Sequence, residues 1–184
     1  MCQIVYLTSR CFDRPSKEFK IALEAELKRR KVEVICDTTC FLKRMFRRHK
    51  TYGIAIAIDF FRDGGSGCGL TLNRRCSYLS RDFAYNISNV VDILLPQLKW
   101  RDFRFVDSDD KNWRMFFDKV SSTTKAIFYL CTYNNELDYD SFSSVFDKIV
   151  KAFADEIVRC LRSNYDYGNY QKRVKLARLK IKTT

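Results

Sequence analysis

The hydrophobic pattern of the chain alternates between short apolar runs and longer series with helical spacing. Runs of strand length lie at 3–8, 32–36, 54–58, 70–73 and 126–132. Helix-spaced series occupy the segments 16–27, 41–50, 79–98 and 140–161. Strands that alternate with helices of these lengths are typical of a sheet covered on both faces. The sequence therefore predicts an α/β fold with a mixed, largely parallel central sheet that is flanked by helices on both faces.

Polar residues mark where the first and last helices should begin. Ser16 precedes a helical apolar face that starts at Phe19, and Asp140 precedes the last long apolar series. Both residue types cap helices well, because the side-chain oxygen accepts a backbone N–H of the first turn. We therefore expect helices to start at Ser16 and Asp140, and an irregular stretch around Trp100 and Trp113.

The length of 184 residues fits one domain. We predict an α/β domain over 1–164, followed by a basic, aromatic C-terminal arm over 165–184. No apolar run reaches the roughly 18 residues of a membrane span, and the first residues read as a strand and not as a secretion signal. These features predict a cytoplasmic protein without a membrane partner. The eight cysteines form no CxxC pair, so we expect reduced, buried thiols.

The net charge of the chain predicts the kind of partner that it binds. Lys and Arg outnumber Asp and Glu by 34 to 22, a formal net charge of +12, and such an excess favours polyanionic partners. The predicted nucleic-acid contacts are Lys43, Arg44, Arg47, Arg48, Lys50, Lys172, Arg173, Lys175 and Arg178. Tyr165, Tyr167 and Tyr170 could stack on unpaired bases, a mode of RNA recognition; packing of these rings against the domain, and a merely solvated basic tail, are the alternatives.

The order of elements also carries a resemblance. A strand, a turn, a helix opening near Glu18, a short basic helix and a central strand ending Ile56-Ala57-Ile58-Asp59 follow one another. This succession resembles the zinc-dependent N-acetylmuramoyl-L-alanine amidases, and the similarity extends over about 3–162. The resemblance implies an amidase-like fold.

The resemblance also implies where the zinc ligands and the general base should stand. It places the first histidine ligand at Ser9 or Arg10, the glutamate ligand at Glu18 and the second histidine at Asp59. The positions that it gives for the catalytic glutamate are Tyr129, Leu130 and Cys131, and its Asn-x-x-Asp motif matches Asn135-Glu136-Leu137-Asp138. Of the three zinc ligands only the glutamate is present, so the zinc site is expected to be lost.

The residues at these positions favour different chemistry. Catalytic zinc takes three protein ligands, most often with histidine among them, and this chain has one histidine, His49. Oxygen ligands from Glu18 and Asp59 suit Mg²⁺ or Mn²⁺. The candidate catalytic residues are Arg10, Glu18, Asp59 and Glu136. The alternative is a structural ion pair between Arg10 and Asp59.

These observations lead to a functional hypothesis with alternatives. The main prediction is an RNA-binding protein, with RNA preferred over DNA, on a degenerate amidase scaffold that acts as an endoribonuclease. Among small basic phage products, the chain resembles anti-CRISPR proteins that attack a guide RNA, which implies an RNA-guided nuclease complex as partner. The alternatives are a catalytically inactive inhibitor of a nucleoprotein complex and a residual peptidoglycan amidase.

Overall fold

A computed structural model describes residues 4–9, 14–36, 52–106, 116–117, 120 and 122–163 of the chain. The strands are β1 Val5–Thr8, β2 Val34–Cys36, β3 Tyr52–Phe61, β4 Cys68–Asn73, β5 Trp100–Val106 and β6 Ser122–Thr132. The helices are α1 Arg14–Arg29, α2 Tyr78–Leu94, α3 Glu136–Ser144 and α4 146–163. None of the described helices combines the length and the apolar character that crossing a membrane requires.

The described strands form one sheet in the order β2-β1-β3-β6-β4-β5. Strands β2, β1, β3 and β6 are parallel to one another, whereas β4 is antiparallel to β6 and parallel to β5. The predicted mixed, largely parallel α/β sheet is confirmed. We call the edge where β1, β3 and β6 end the carboxyl edge, and the opposite one the amino edge. Helix α1 starts at the carboxyl edge, since it follows β1 directly.

The helix boundaries differ from the sequence prediction at both expected caps. Helix α1 begins at Arg14, so Ser16 lies inside its first turn and is buried. Pro15 suits this early start, because proline has no N–H to lose in the first helical turn. The last helical region begins at Glu136, where the Asn135 side chain accepts the backbone N–H of Asp138. Asp140 is therefore a helical residue and not a cap.

One strand was missed by the sequence prediction. The stretch after α2 was expected to be irregular, but Trp100–Val106 forms β5 at the edge of the described sheet. Its sequence WRDFRFV mixes large apolar residues with charged ones, so it lacks the continuous apolar run of a central strand. Few turn residues separate it from α2, and this hid the boundary.

The larger hydrophobic core lies between the sheet and the helices α1, α2 and α4. Ile54, Ile56 and Ile58 of β3 point into it, and Phe19 of α1 packs edge-on against Phe153 of α4. Apolar burial of this kind contributes about 25 cal/mol per Å² and dominates folding. This core fixes α1 and α4 on the same face of the sheet.

A second, smaller core covers the other face of the sheet. Ala55 and Ala57 of β3 point into it, together with Tyr129 of β6. The Phe61 ring stacks on Tyr129 with centroids 4.4 Å apart. Because successive strand residues point to opposite faces, β3 sends its isoleucines toward α1 and its alanines away from α1.

The described cysteines are free thiols; Cys68, Cys131 and Cys160 are buried as predicted, whereas Cys36 and Cys76 are only partly buried. Cys68, Cys131 and Cys160 belong to the larger core. Burial raises the pKa of the Cys68 thiol to about 12 and that of Cys160 to about 11. These thiols behave as small apolar side chains.

Ion pairs join the ends of α1 and α4 near the amino edge. Glu26 accepts hydrogen bonds from Arg29, at 2.7 Å, and from Arg30, at 2.8 Å. Arg30 also donates to Asp155 of α4. The bonds from Arg29 and Arg30 lower the pKa of Glu26 from 4.5 to about 2.

The low pKa of Glu26 predicts a pH dependence of stability. Because the folded-state value lies below the unfolded one, the ionised carboxylate stabilises the fold above about pH 5 and loses this effect as the pH falls toward 2. Thermal unfolding followed by circular dichroism should show the melting temperature falling over this range. Glu26→Gln should flatten the decline, and an unchanged pH profile in this variant would contradict the assignment.

Candidate functional site at the carboxyl edge

A buried lysine occupies the position just after β1. Lys20 of α1 is 2% exposed, and its Nζ donates a hydrogen bond to Ser9 Oγ over 2.7 Å. Ser9 is itself buried and follows Val5 and Leu7 on the face of the sheet that α1 covers. Lysines are rarely buried without polar partners. The resemblance places its first histidine ligand at Ser9 or Arg10, so the Lys20 amine is bonded to one of these two positions.

Glu18 lies at the surface, beside a pocket. Its carboxylate pairs with Arg14 one turn earlier over 2.7 Å, and about half of its side chain is exposed. The pocket has a volume of about 560 Å³. Its walls come from the start of α1 and the α3–α4 junction: Pro15, Glu18, Tyr139, Phe142, Ser143, Ser144, Val145, Phe146, Asp147 and Lys148. We call this the α1–α3 pocket.

Aromatic and apolar groups make up much of the rim of the α1–α3 pocket. Tyr139 packs edge-on against Tyr133, whose ring is 41% exposed, with centroids 5.3 Å apart. Burial raises the pKa of the Tyr139 phenol, and the Glu18 carboxylate adds to the shift. Leu137 nearby in the chain is 80% exposed. The pocket therefore offers a ligand both apolar surface and charged or hydroxyl groups, a mixture typical of binding sites.

Asp59 lies on the opposite face of the sheet from α1. It is 1% exposed, and it pairs in register with Tyr129 of β6. Strand alternation places it with Ala55 and Ala57, away from the face that carries Lys20. The α1–α3 pocket is lined by Glu18 and not by Asp59. The two carboxylates predicted to share a metal thus start from opposite faces of the sheet.

The positions that correspond to the catalytic glutamate are apolar and packed. Leu130 and Cys131 are buried in the larger core, and Tyr129 is covered by Phe61. Burial raises the pKa of the Cys131 thiol above its ordinary value. None of the three residues can act as a carboxylate base. The carboxylate of Asp138, farther along the chain, is taken up by other hydrogen bonds.

Asp138 holds the glycine-rich loop between β3 and β4. Its carboxylate accepts hydrogen bonds from Gly67 N, at 2.6 Å, and from Ser66 Oγ, at 2.8 Å. Asn135 Nδ2 donates to Gly65 O over 3.2 Å. The Asn-x-x-Asp spacing seen in the sequence thus caps α3 with Asn135 and anchors the loop with Asp138. The two hydrogen bonds to Asp138 thus join the loop to the first turn of α3 at the carboxyl edge.

Arg101 fastens the other end of the same loop. Its guanidinium forms a two-point contact with Asp63, at 2.7 and 2.5 Å, and lies 4.3 Å from the centroid of the Phe61 ring. The hydrogen bonds from Arg101 lower the pKa of Asp63. A bidentate arginine of this kind fixes geometry as well as charge. Asp63 is therefore engaged in a structural pair.

Asp138→Ala should destabilise the protein by about 2–3 kcal/mol, because a buried backbone N–H would lose a charged acceptor. The measurement is urea unfolding followed by tryptophan fluorescence. Asp140→Ala, which removes an exposed carboxylate from the same helix, is the matched control and should change stability by less than about 0.5 kcal/mol. Equal effects of the two substitutions would contradict the anchoring role of Asp138.

The remaining predicted site residues divide into two groups. Glu136 is exposed at the first position of α3. The others lie outside the described residues: Arg10, Lys43, Arg44, Arg47, Arg48, Lys50, Lys172, Arg173, Lys175 and Arg178. Among the described residues, no group of three or more His, Cys, Asp or Glu side chains could hold a metal ion. Catalytic, metal-binding and nucleic-acid roles for the predicted residues stay predictions.

The sequence reasoning missed Lys20. A signal was present, because residues 16, 19, 20, 23 and 27 share one helical face, and a lysine within such a face is out of place. The pairing with Ser9 depends on how α1 lies against β1, which periodicity does not reveal. Arg101 was also missed, since it stands on the strand that the sequence did not predict.

Solved structures with a similar fold come from bacterial cell-wall amidases and an endolysin. The catalytic domain of the CD27L endolysin targeting Clostridia difficile matches with a TM-score of 0.64 and 12% identity, over 85% of this chain and 97% of that one. The amidase AmiC2 of Nostoc punctiforme gives 0.63 and 11%, over 87% and 98%. The catalytic domain of the amidase CwlV from Bacillus (Paenibacillus) polymyxa gives 0.59 and 14%, over 87% and 98%. No family model and no curated protein matches the sequence.

These structural similarities contradict the predicted ribonuclease activity and confirm the predicted amidase-like fold. The prediction of ribonuclease activity is wrong, because the solved structures with this fold are amidases and not ribonucleases. An anti-CRISPR role stays a prediction. At such low identity the likeness establishes the architecture alone. This chain has the fold of the N-acetylmuramoyl-L-alanine amidase catalytic domains.

Proposed function

We propose that this protein binds peptidoglycan fragments on an amidase fold without hydrolysing them by zinc chemistry. The observation that carries the proposal is the hydrogen bond between the buried Lys20 and Ser9 at the carboxyl edge. Lysine is not among the usual zinc ligands, and in its charged form it would repel a divalent cation. The residues here do not fit a zinc ion, which takes three protein ligands at a catalytic site.

The loss of a base supports the same proposal. Amide hydrolysis needs a group that takes a proton from the attacking water. The positions that resemblance assigns to this base carry Tyr129, Leu130 and Cys131, which are buried among apolar side chains. Among the described residues, Glu18 is not joined by two further ligands that could hold a metal. No carboxylate stands at the positions expected for the base.

The α1–α3 pocket is the proposed binding site for the peptidoglycan fragment, because it lies beside Glu18, at the edge where the resemblance places the amidase site. Its volume of about 560 Å³ falls within the usual range for ligand pockets, about 300–1,000 Å³. Tyr139 and Phe146 offer flat apolar surface, and Lys148 offers hydrogen-bond donors. N-acetylmuramoyl peptides present methyl groups, amides and carboxylates, which match this mixture.

The test combines a binding measurement with a hydrolysis measurement. Purified protein is sedimented with insoluble peptidoglycan, and newly released amino groups are measured in parallel with zinc or with EDTA. We expect co-sedimentation without release of amino groups under either condition. EDTA-sensitive release of amines would overturn the absence of zinc hydrolysis, and a protein that stays in the supernatant would overturn the binding.

A substitution in the pocket locates the binding surface. Ser144 is exposed and lines the α1–α3 pocket, so Ser144→Arg should obstruct the pocket and reduce co-sedimentation at least about tenfold, the effect of losing about 1.4 kcal/mol of binding. Gln97→Arg adds the same side chain at another exposed position and should bind like the wild type. Equal binding by the two variants would show that the ligand lies elsewhere.

A further inference from the structure

Four arginines surround a second cavity, at the amino edge of the sheet. Arg29 is the last residue of α1, Arg30 follows it, and Arg159 and Arg162 lie in the last turns of α4. The cavity has a volume of about 600 Å³, and its other lining residues are Asp155, Val158 and Ser163. We call it the arginine cleft. It is separate from the α1–α3 pocket, because α1 runs from the carboxyl edge to the amino edge.

Carboxylates hold two of these guanidinium groups in place through hydrogen bonds. Arg159 donates through Nε and Nη2 to Glu156, at 2.7 and 2.5 Å, and through Nη2 to Asp82. Arg29 donates through Nε and Nη2 to Glu26, at 2.9 and 2.7 Å. In both, the Nη1 amino group has no hydrogen-bond partner among the described residues. The ion pairs thus hold each planar group in place and leave donors over for a ligand.

Arg162 contributes a guanidinium with no partner of this kind. It is exposed, and within the part of the chain that the structure describes it forms neither a hydrogen bond nor an ion pair. Cations near helix C-termini also offset the helix dipole. That role requires only a positive charge close to each helix end, and it does not require four guanidinium groups around one cavity.

We propose that the arginine cleft binds the phosphodiester backbone of a nucleic acid. The planar fork of arginine matches phosphate oxygens and is always charged. The net charge of +12 attracts a polyanion over distance. In the sequence, the basic residues Lys172, Arg173 and Lys175 follow Ser163, which lines the cleft. This ligand is independent of the peptidoglycan fragments proposed for the other edge.

The test measures the affinity for a fluorescein-labelled single-stranded RNA of mixed sequence by anisotropy, across a series of salt concentrations. The double variant R29Q/R162Q removes the two most accessible guanidinium groups of the cleft. Each lost phosphate contact should lower the affinity about fivefold at 0.1 M salt and reduce the slope of log K against log salt by about 0.7. We therefore expect a loss of about 25-fold for two contacts.

Control variants separate this surface from charge in general. R14Q/R75Q removes two exposed arginines away from the cleft and should lose less than about threefold. Urea unfolding checks that R29Q/R162Q remains folded, and its co-sedimentation with peptidoglycan should equal that of the wild type. Equal RNA affinities of the two double variants would overturn the proposal, and so would a wild-type protein that shows no salt-dependent RNA binding.

Discussion

Replacing Lys20 with alanine should destabilise the protein by about 3–5 kcal/mol, because the change removes a buried polar partner and leaves a cavity. Lys20 is 2% exposed, and its Nζ donates to Ser9. Methionine has a similar volume and no donor, so Lys20→Met should cost about 1–3 kcal/mol. Urea unfolding with an unchanged m-value measures both differences.

Lys17 provides the control for this pair, since it lies exposed one turn earlier on α1. Lys17→Ala should change the free energy of unfolding by less than about 0.5 kcal/mol. If Lys20→Ala proved as mild as Lys17→Ala, the lysine would not be a structural element of the carboxyl edge. The assignment of a fixed lysine beside Ser9 at the carboxyl edge would then fail.

Gly67→Ala should destabilise the protein by more than about 3 kcal/mol, through strain and a steric clash. The residue has a φ of +114°, and a Cβ atom there would lie 2.1 Å from the backbone oxygen of Lys99. The backbone cannot give way easily, because Lys99 O accepts the N–H of Cys68 at the start of β4. Differential scanning calorimetry should show a large fall in melting temperature.

The same substitution at Gly64 distinguishes the backbone strain from the steric clash. It also has a positive φ, of 71°, but a Cβ atom there would meet nothing within 4 Å. Gly64→Ala should therefore cost only the conformational strain, about 1–2 kcal/mol. Similar melting temperatures for the two variants would contradict the close approach of the loop to Lys99.

Much of the fold could be predicted from periodicity, and the errors have physical reasons. The central strand was found because five residues from Ile54 onward are apolar and end at a charge. β5 was missed because charged residues interrupt it, as an edge strand with an exposed face allows. The start of the last helices was placed at Asp140 instead of Glu136, since both Asn135 and Asp140 are good caps and local sequence does not choose between them.

The candidate site was less predictable, because its residues meet through the tertiary structure. The order of the elements predicted where Glu18 and Asp59 stand in the chain. It did not predict that they lie on opposite faces of the sheet, because this depends on which face α1 covers. The contact between Lys20 and Ser9 joins residues 11 apart in sequence, and no local pattern shows how α1 lies against β1. The arginines of the arginine cleft come from two helices far apart in the chain, so only packing brings them together.

The most direct test of the account is the zinc content of the native protein, measured by mass spectrometry of metals after purification and dialysis with a zinc supplement. A buried lysine bonded to Ser9 and the absence of a carboxylate at the positions expected for the base predict clearly substoichiometric zinc. One tightly held zinc ion per chain, lost together with amidase activity on chelation, would contradict the account.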